Sequence, residues 1–433
     1  MVKENDIETT DKGIQYKYLK LLGQGTFGQA WKAENTTSGE FVVIKVYKNM
    51  SDVREILIIE KNALEYLTSK SNLCEEFAVC YKDAYSIRNE PRLVMEFIDG
   101  SSLKNIISDK PLYDRESDFS VLKDLIIGLD QLHAVGITHQ DIKEDNIMWD
   151  DDNVKYRFLD WGGGCVRDKY CKSGGLSKLF MSDMCNNPCG FIGTTYTAPP
   201  EMVTDPIKIQ QNQNFDATKA HDIWSIGVVL YDWFTFGSNN PTKNQDFWTS
   251  FAIDFKIGTT NVKYLSQYSI NELHRKINDF KLVPFITTIL KMLLDTKDKR
   301  LKNWNKVVEL VKDDNLFKQA KTEARDLSQL KKKHTNDLIL IRQEALRLEP
   351  CGIEEVAIFK TLERKNYCIT YNELNKYLNE KNESGKFKNI VGYKTNNKDD
   401  FTSLIFISPY TKTKPFDIIT IEDPIVLEKI KIE

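Results

Sequence analysis

The chain of 433 residues contains no apolar run of about 18 residues, the length that a membrane-crossing helix requires. It also carries almost no net charge. Sixty basic residues against 63 acidic ones leave a formal charge of −3, so no global field draws in nucleic acid or an anionic membrane. Cysteine is scarce: eight in a chain this long cannot form a disulfide-stapled scaffold, and reduced thiols are expected. No repeat recurs at solenoid or propeller periods. The opening residues Met1-Val2-Lys3-Glu4-Asn5-Asp6 are polar and acidic, without the apolar centre of a signal peptide. These absences lead to the expectation of a soluble cytoplasmic protein that binds neither nucleic acid nor membrane.

What is present suffices for a sizeable core. The hydrophobic share is 41% and the charged share 28%, which excludes collagen-like, fully disordered and mini-scaffold classes. At about 150 residues per domain the length suggests two or three domains. Residues 1–14 read as a flexible lead-in. From Gln15 to about Tyr47 the pattern is β, with Tyr16 to Leu22, Ala30 to Ala33 and Phe41 to Ile44 as apolar-alternating segments around a glycine cluster and a Thr37-Ser38-Gly39 turn. Residues 53–67 have helical spacing, with Ile56, Ile59, Ala63, Leu64 and Leu67 on one face. A strand-like segment follows at 92–98, then helices at 119–134 and 223–236. A β-rich front and a helix-rich middle predict an α+β fold with two lobes. Beyond residue 318 a charged helical pattern runs to Glu349 and stops at Pro350 and Gly352. Residues 350–433 then read as a small mixed unit, with a helix near 371–379 and strands near 403–407 and 416–421.

Gly23-x-Gly25-x-x-Gly28 is weak alone, because several nucleotide-binding folds use it and an ordinary flexible turn explains it equally well. Its context is more informative. The glycines are followed by a second and a third strand, not by a helix, so they sit at a hairpin tip where backbone N–H groups can approach phosphates. Seventeen residues on, Val42-Val43-Ile44-Lys45 places a lysine at the end of an apolar strand, where its desolvation demands an anion. Glu60 is spaced to face back to it from the next helix. Glu55 competes, and Glu60 is preferred because Leu64 and Leu67 follow it on the buried side.

With these residues the sequence resembles the eukaryotic-type Ser/Thr protein kinase family over roughly residues 15–315. Arg92 to Ile98 is similar to the family's hinge strand, His139-Gln140-Asp141-Ile142-Lys143-Glu144-Asp145-Asn146 to its catalytic loop, and Asp160-Trp161-Gly162 to its metal-binding segment. Pro199-Pro200-Glu201, His221 to Gly227 and Arg300 match its Ala-Pro-Glu motif, its buried anchor helix and the arginine that closes on the glutamate. The resemblance implies a bilobal kinase domain over 15–318, divided near residue 98, that uses ATP and Mg²⁺ (or Mn²⁺) to phosphorylate Ser/Thr hydroxyls of protein substrates. It implies Asp141 as the group that orients the attacking hydroxyl, Lys143 as charge balance, and the Lys45–Glu60 pair as a phosphate holder. Asn146 and Asp160 would be metal ligands. The nucleotide would be lined by Gly23, Gln24, Gly25, Thr26, Phe27, Gly28, Ala30, Val43, Lys45, Met95, Glu96, Ile98 and Met148. Thr194 stands where Ser/Thr-specific members bond a threonine to the catalytic Asp. Glu201–Arg300 and Asp222 read as structural.

The chain departs from the pattern at Gln140, where an arginine commonly receives an activation-segment phosphate, at Trp161 for Phe, and at Ala30 for Val. None removes a phosphate or metal ligand, which favours an active enzyme over a pseudokinase scaffold. The Pro-Glu/Arg closure disfavours a small-molecule phosphotransferase. Cys165, Cys171, Cys185 and Cys189 crowd one segment. Cys185-x₃-Cys189 has metal-knuckle spacing that could serve a structural Zn²⁺, but the other gaps match no zinc pattern, and free buried thiols or a redox-sensitive loop are preferred. Ser173, Ser177 and Ser182 are candidate phosphorylation sites. Lys331-Lys332-Lys333 reads as a solvated face. The unit at 350–433 carries no catalytic cluster and could bind a partner, recruit substrate or cap the kinase domain. Asp160-Trp161-Gly162-Gly163-Gly164-Cys165 and the Lys/Asn/Ile-rich tail resemble kinases of large DNA viruses or protists.

Overall fold

The structure is a computed structural model. It describes residues 2–345 except 26, 49–50, 71, 111, 116–117, 168–192, 195, 204–214, 236–247, 249–261 and 281, together with strands at 355–360, 365–370, 404–407 and 418–421. Two compact units result, Met1–Ser328 and Gln329–Glu433. Among the described residues no helix is long and apolar enough to cross a membrane.

The first unit opens with an antiparallel sheet of β1 (Ile7–Thr9), β2 (Gln15–Gln24), β3 (Gly28–Asn35), β4 (Phe41–Tyr47), β5 (Tyr81–Ile87) and β6 (Glu90–Glu96), in the order β1-β2-β3-β4-β6-β5. Helices α1 (Ser51–Thr68) and α2 (Leu73–Phe77) lie between β4 and β5 in the chain. The alternation read from the sequence sorts β4 into two faces. Val42, Ile44 and Val46 pack with Tyr18, Trp31, Ala33 and Val94 in one cluster, while Tyr47 joins Leu64, Leu67 and Met95 in the other.

The remainder is mainly helical. After β7 (Gly100–Ser102) come α3 (Leu103–Asp109), α4 (Leu112–Arg115) and α5 (Ser120–Ala134), then β8 (Ile137–Thr138), β9 (Ile147–Asp150), β10 (Lys155–Phe158) and β11 (Cys165–Val166). Helices α6 (Pro200–Val203), α7 (Phe215–Thr235), α8 (Val262–Asp279), α9 (Pro284–Leu293), α10 (Lys297–Lys312) and α11 (Asp314–Ala345) complete it. Small sheets β10-β9-β7 and β11-β8 carry the loops between them. Helix α7 begins eight residues earlier than its apolar run suggested, because Thr218, His221 and Asp222 are polar yet buried in its first turns. The second unit contains a four-stranded antiparallel sheet, β13-β12-β14-β15, built from β12 (Glu355–Lys360), β13 (Lys365–Thr370), β14 (Leu404–Ile407) and β15 (Ile418–Ile421). The first two strands were not read from the sequence. The expected helix near 371–379 lies outside the described residues.

Three expectations change. Residues 1–14 are not a flexible lead-in: Ile7–Thr9 pair with Gln15–Lys17, and Glu8 accepts from Arg92 at 2.9 Å, Tyr18 at 2.6 Å and Tyr85 at 3.1 Å. Arg92 is 2% exposed and needs a carboxylate, and that carboxylate comes from a stretch that looks solvated in sequence. The charged helix starts at Asp314, where the Asp313 carboxylate caps the N–H groups of Asn315 and Leu316. Its first turns belong to the first unit, since Ala320 and Ala324 are buried in the main core and Phe317 packs edge-on to Phe119. Finally, Cys74 and Cys80 are joined in a disulfide across the single turn of α2, and Cys165 is disulfide-bonded too, so these three are not the thiols expected.

The hairpin between β2 and β3 is closed by Gly25 N–H donating to Gly28 O at 2.9 Å. A Cβ on Gly28 would lie 2.1 Å from the Val46 carbonyl oxygen, whereas one on Gly23 or Gly25 would meet nothing within 4 Å. Gly28→Ala should therefore destabilise the chain by about 1–3 kcal/mol in denaturant unfolding, and Gly25→Ala by under ~0.5 kcal/mol. Arg92→Met should cost ~3 kcal/mol by stranding Glu8, while loss of the exposed Lys12 beside Asp83 should cost under ~1 kcal/mol.

Candidate active site

The site starts from one buried ammonium. Lys45 follows three apolar residues on β4, and its Nζ lies 2.6 Å from Glu60 Oε2 and 2.9 Å from Asp160 Oδ1. Glu60, Leu64 and Leu67 share one face of α1 at i, i+4 and i+7, so burying the leucines turns the carboxylate inward, where it is 1% exposed. The side chain of Glu55 lies outside the described residues. Burial opposes the charge on Lys45, but Glu60 and Asp160 outweigh it and its pKa is raised. Burial likewise pushes Asp160 up, and Lys45 reverses this, holding its carboxyl at about 2. Glu60 is the exception: its burial wins over Lys45, and its pKa stays above the ordinary carboxylate value. Tyr47 donates its hydroxyl to the same Glu60 oxygen. Sequence reasoning missed Tyr47, although its position two residues beyond Lys45 places it on the same strand face.

A second set of groups is held by the β9–β10 hairpin. Ile147 pairs with Phe158, and Leu159 N–H donates to Asn146 O at 2.8 Å, so Asn146 and Asp160 emerge together at one end of that hairpin. The Asn146 amide nitrogen donates to Asp141 O at 2.8 Å and Asp141 Oδ2 at 3.0 Å, which turns the Asn146 Oδ1 away. Asp141 Oδ2 also accepts from Lys143 Nζ at 2.7 Å, and its Oδ1 accepts from Thr194 N at 2.9 Å and Thr194 Oγ1 at 2.7 Å. Lys143 Nζ bonds Thr194 Oγ1 at 2.9 Å, closing a ring of three side chains.

The loop that presents Asp141 is pinned from below by α7. Asp222 accepts from the N–H groups of His139 at 2.8 Å and Gln140 at 2.7 Å, and from His133 Nε2 at 3.0 Å. His139 Nδ1 accepts from Asp141 N–H at 3.2 Å, so its proton sits on Nε2 and is donated to Leu159 O at 2.8 Å. The bulkier Trp161 is fully buried with its ring 4.6 Å from that of His139. Gln140 is buried with φ +65°, and its Nε2 donates to Gly163 O at 2.8 Å. Glu201 pairs with Arg300, whose Nε also donates to Ala220 O at 3.2 Å.

The remaining residues read from the sequence lie around these groups. Gln24 accepts from Gln29 across the hairpin at 3.3 Å, and Phe27 is partly exposed at its tip. Thr26 lies outside the described residues. Ala30 stands opposite Lys45 and Val43 opposite Met95 in the strand register, while Met148 pairs with Arg157. Glu96 is half-buried and Ile98 buried. Arg157 was not singled out from the sequence, yet it is 1% exposed and bridges the Glu96 and Asp150 carboxylates. Another missed cluster packs Glu144, which accepts from Tyr196 at 3.0 Å, with Asp232, which accepts from Trp248 at 2.9 Å. Burial pushes both carboxyls up. The zinc reading loses Cys165, because a sulfur in a disulfide is not a thiolate ligand. Cys171, Cys185, Cys189, Ser173, Ser177 and Ser182 lie outside the described residues.

The chain is 25% identical over 217 residues to the serine/threonine-protein kinase sid1 of Schizosaccharomyces pombe, covering 50% of this chain and 40% of the relative. It is 26% identical over 302 residues to a probable serine/threonine-protein kinase of Dictyostelium discoideum, covering 65% and 59%. With a serine/threonine-protein kinase of Arabidopsis thaliana the figures are 27% over 267 residues, covering 60% and 49%. The match thus spans less than two thirds of the length of each of these relatives. A crystal structure of a kinase domain superposes with a TM-score of 0.51 at 16% identity, covering 73% of this chain and 98% of the other, which supports the fold. The family model described as the protein kinase domain matches residues 16–310, and the chain belongs to the protein kinase family.

Proposed function

We propose that the chain transfers the γ-phosphate of ATP to Ser or Thr hydroxyls of protein substrates. The observation that carries this reading is the ring formed by Asp141, Lys143 and Thr194, set beside the Lys45–Glu60–Asp160 cluster. Mg²⁺-bound ATP supplies the transferable phosphoryl group and neutralises its charge. The donor set fits that ion: the Asp160 carboxylate, 44% exposed, and the Asn146 amide oxygen are hard oxygen ligands of the kind Mg²⁺ takes along with phosphate and water. Lys45 would hold the nucleotide's phosphates, with Glu60 keeping it in place. Glu96, Met95, Ile98, Val43, Ala30 and Met148 would line the base, under the hairpin from Gly23 to Gly28. Asp141 would orient the attacking hydroxyl and accept its proton, and Lys143 would offset charge on the transferring group.

The Asp141–Thr194 bonds support Ser/Thr over Tyr specificity, because they fix the segment that would support a substrate backbone beside Lys143. The part-buried Glu201–Arg300 pair would brace that segment and favours a protein substrate over a small molecule. With a neutral glutamine at 140 bonded to Gly163 O, no guanidinium is available there for an activation-segment phosphate, so activity should not require one at that position.

Labelled ATP with Mg²⁺ and a protein substrate, followed by phosphoamino-acid analysis, tests this. Wild type should yield phosphoserine or phosphothreonine, and Lys45→Met and Asp160→Asn should each lower the rate by ~10²-fold or more. Equal labelling by all three proteins would sink the mechanism, and phosphotyrosine alone would sink the specificity.

A further inference from the structure

Tyr47 occupies a junction that the proposed mechanism does not use. It is 1% exposed, and its hydroxyl donates to Glu60 Oε2, the oxygen that also takes the Lys45 ammonium. Its ring centroid lies 5.4 Å from Lys45 Nζ. In the strand register Tyr47 stands opposite Gly28, and the next residue, Lys48, donates its N–H to Phe27 O at 3.0 Å. Backbone pairing thus joins this stretch of the Lys45 strand to the base of the glycine hairpin, and the Tyr47 hydroxyl joins it to helix α1.

The electrostatics give this link a purpose. Glu60 is buried, and burial favours its neutral form, which could not hold an ammonium. The charged groups that face it are Lys45 from β4 and Asp160 from the segment after β10. Lys45 is shared with Asp160, so it cannot commit its whole charge to Glu60. Asp160, being negative, disfavours ionisation of Glu60. Tyr47 adds a neutral donor to the Glu60 oxygen that Lys45 also contacts. A hydrogen bond to the charged form favours that form, and bonds to ionised groups are the strong ones.

We infer that Tyr47 is a positioning residue for phosphoryl transfer, its hydroxyl holding the Glu60 carboxylate against Lys45 so that α1 stays docked on the sheet. The inference rests on the reading of the site proposed above. Tyr47→Phe keeps the buried ring and removes only the donor.

The test uses the full chain as wild type, Tyr47→Phe, Glu60→Ala, the double variant, and Lys45→Met and Asp160→Asn. Affinity for Mg²⁺–ATP is measured by calorimetric titration across pH, alongside steady-state kinetics. Tyr47→Phe should weaken nucleotide binding and lower kcat/KM about ten-fold. Without the donor the Glu60 pKa rises further, so the acid limb of the binding profile should move to higher pH. In the Glu60→Ala background, Tyr47→Phe should change affinity by less than about two-fold, because the group it acts through is gone. Wild-type affinity with an unmoved acid limb in Tyr47→Phe would overturn the inference, and so would an equal loss in both backgrounds. If Lys45→Met and Asp160→Asn bind and transfer as wild type, the site reading falls and this inference with it. If those two fail while Tyr47→Phe is silent, only the role of Tyr47 falls.

Discussion

An ammonium at the end of an apolar strand has to find carboxylates, and most of the site is arranged by how Lys45 does so. Its two acids come from distant parts of the chain, Glu60 from α1 and Asp160 from the turn after β10. Meeting both draws helix and turn onto the same strand face. Docking α1 then buries Leu64 and Leu67, and placing Asp160 (φ +57°) brings Trp161 onto the His139 ring. The ion cluster thus sets the position of groups that never touch it.

A second constraint acts from the helical side. Asp222 satisfies two consecutive backbone N–H groups in the loop carrying Asp141, and a buried carboxylate with three donors needs no other countercharge. The bonds of Asp141 then pass outward to Lys143 and Asn146, which close one turn of the same loop, and to Thr194 from a distant segment. Arg157 performs a comparable task between β6 and β9. It joins Glu96 and Asp150 and bonds the carbonyls of Ala78 and Cys74, tying the β6 end to the disulfide-closed turn.

What could be read from the sequence was what depends on local order. The glycine hairpin, Lys45 on β4 and Glu60 on the leucine face of α1 are each specified by short-range spacing, and the Asp141–Asn146 loop was legible through its resemblance to the kinase family. The buried partners were harder, because their signal lies in pairs far apart. Glu8 looks like part of a solvated leader until Arg92 and Tyr18 are seen to need an acceptor. Arg157 looks like a surface charge between two apolar residues of β10. Ala320 and Ala324 look too small to extend a core, yet they carry the first unit past the expected boundary at 318. The Cys74–Cys80 bond depends on a single helical turn bringing the two residues together. Tyr47 was visible in principle, since alternation alone puts it beside Lys45.

The central physical claim is that Lys45 is shared between Glu60 and Asp160 in the protein without nucleotide. A carbon-detected NMR titration of the Asp160 carboxyl tests this most directly. A pKa of about 2 is expected, because the ammonium outweighs the burial that would raise it. A value at or above the ordinary 3.8 would mean that Lys45 does not reach Asp160, and the cluster would not be assembled as described.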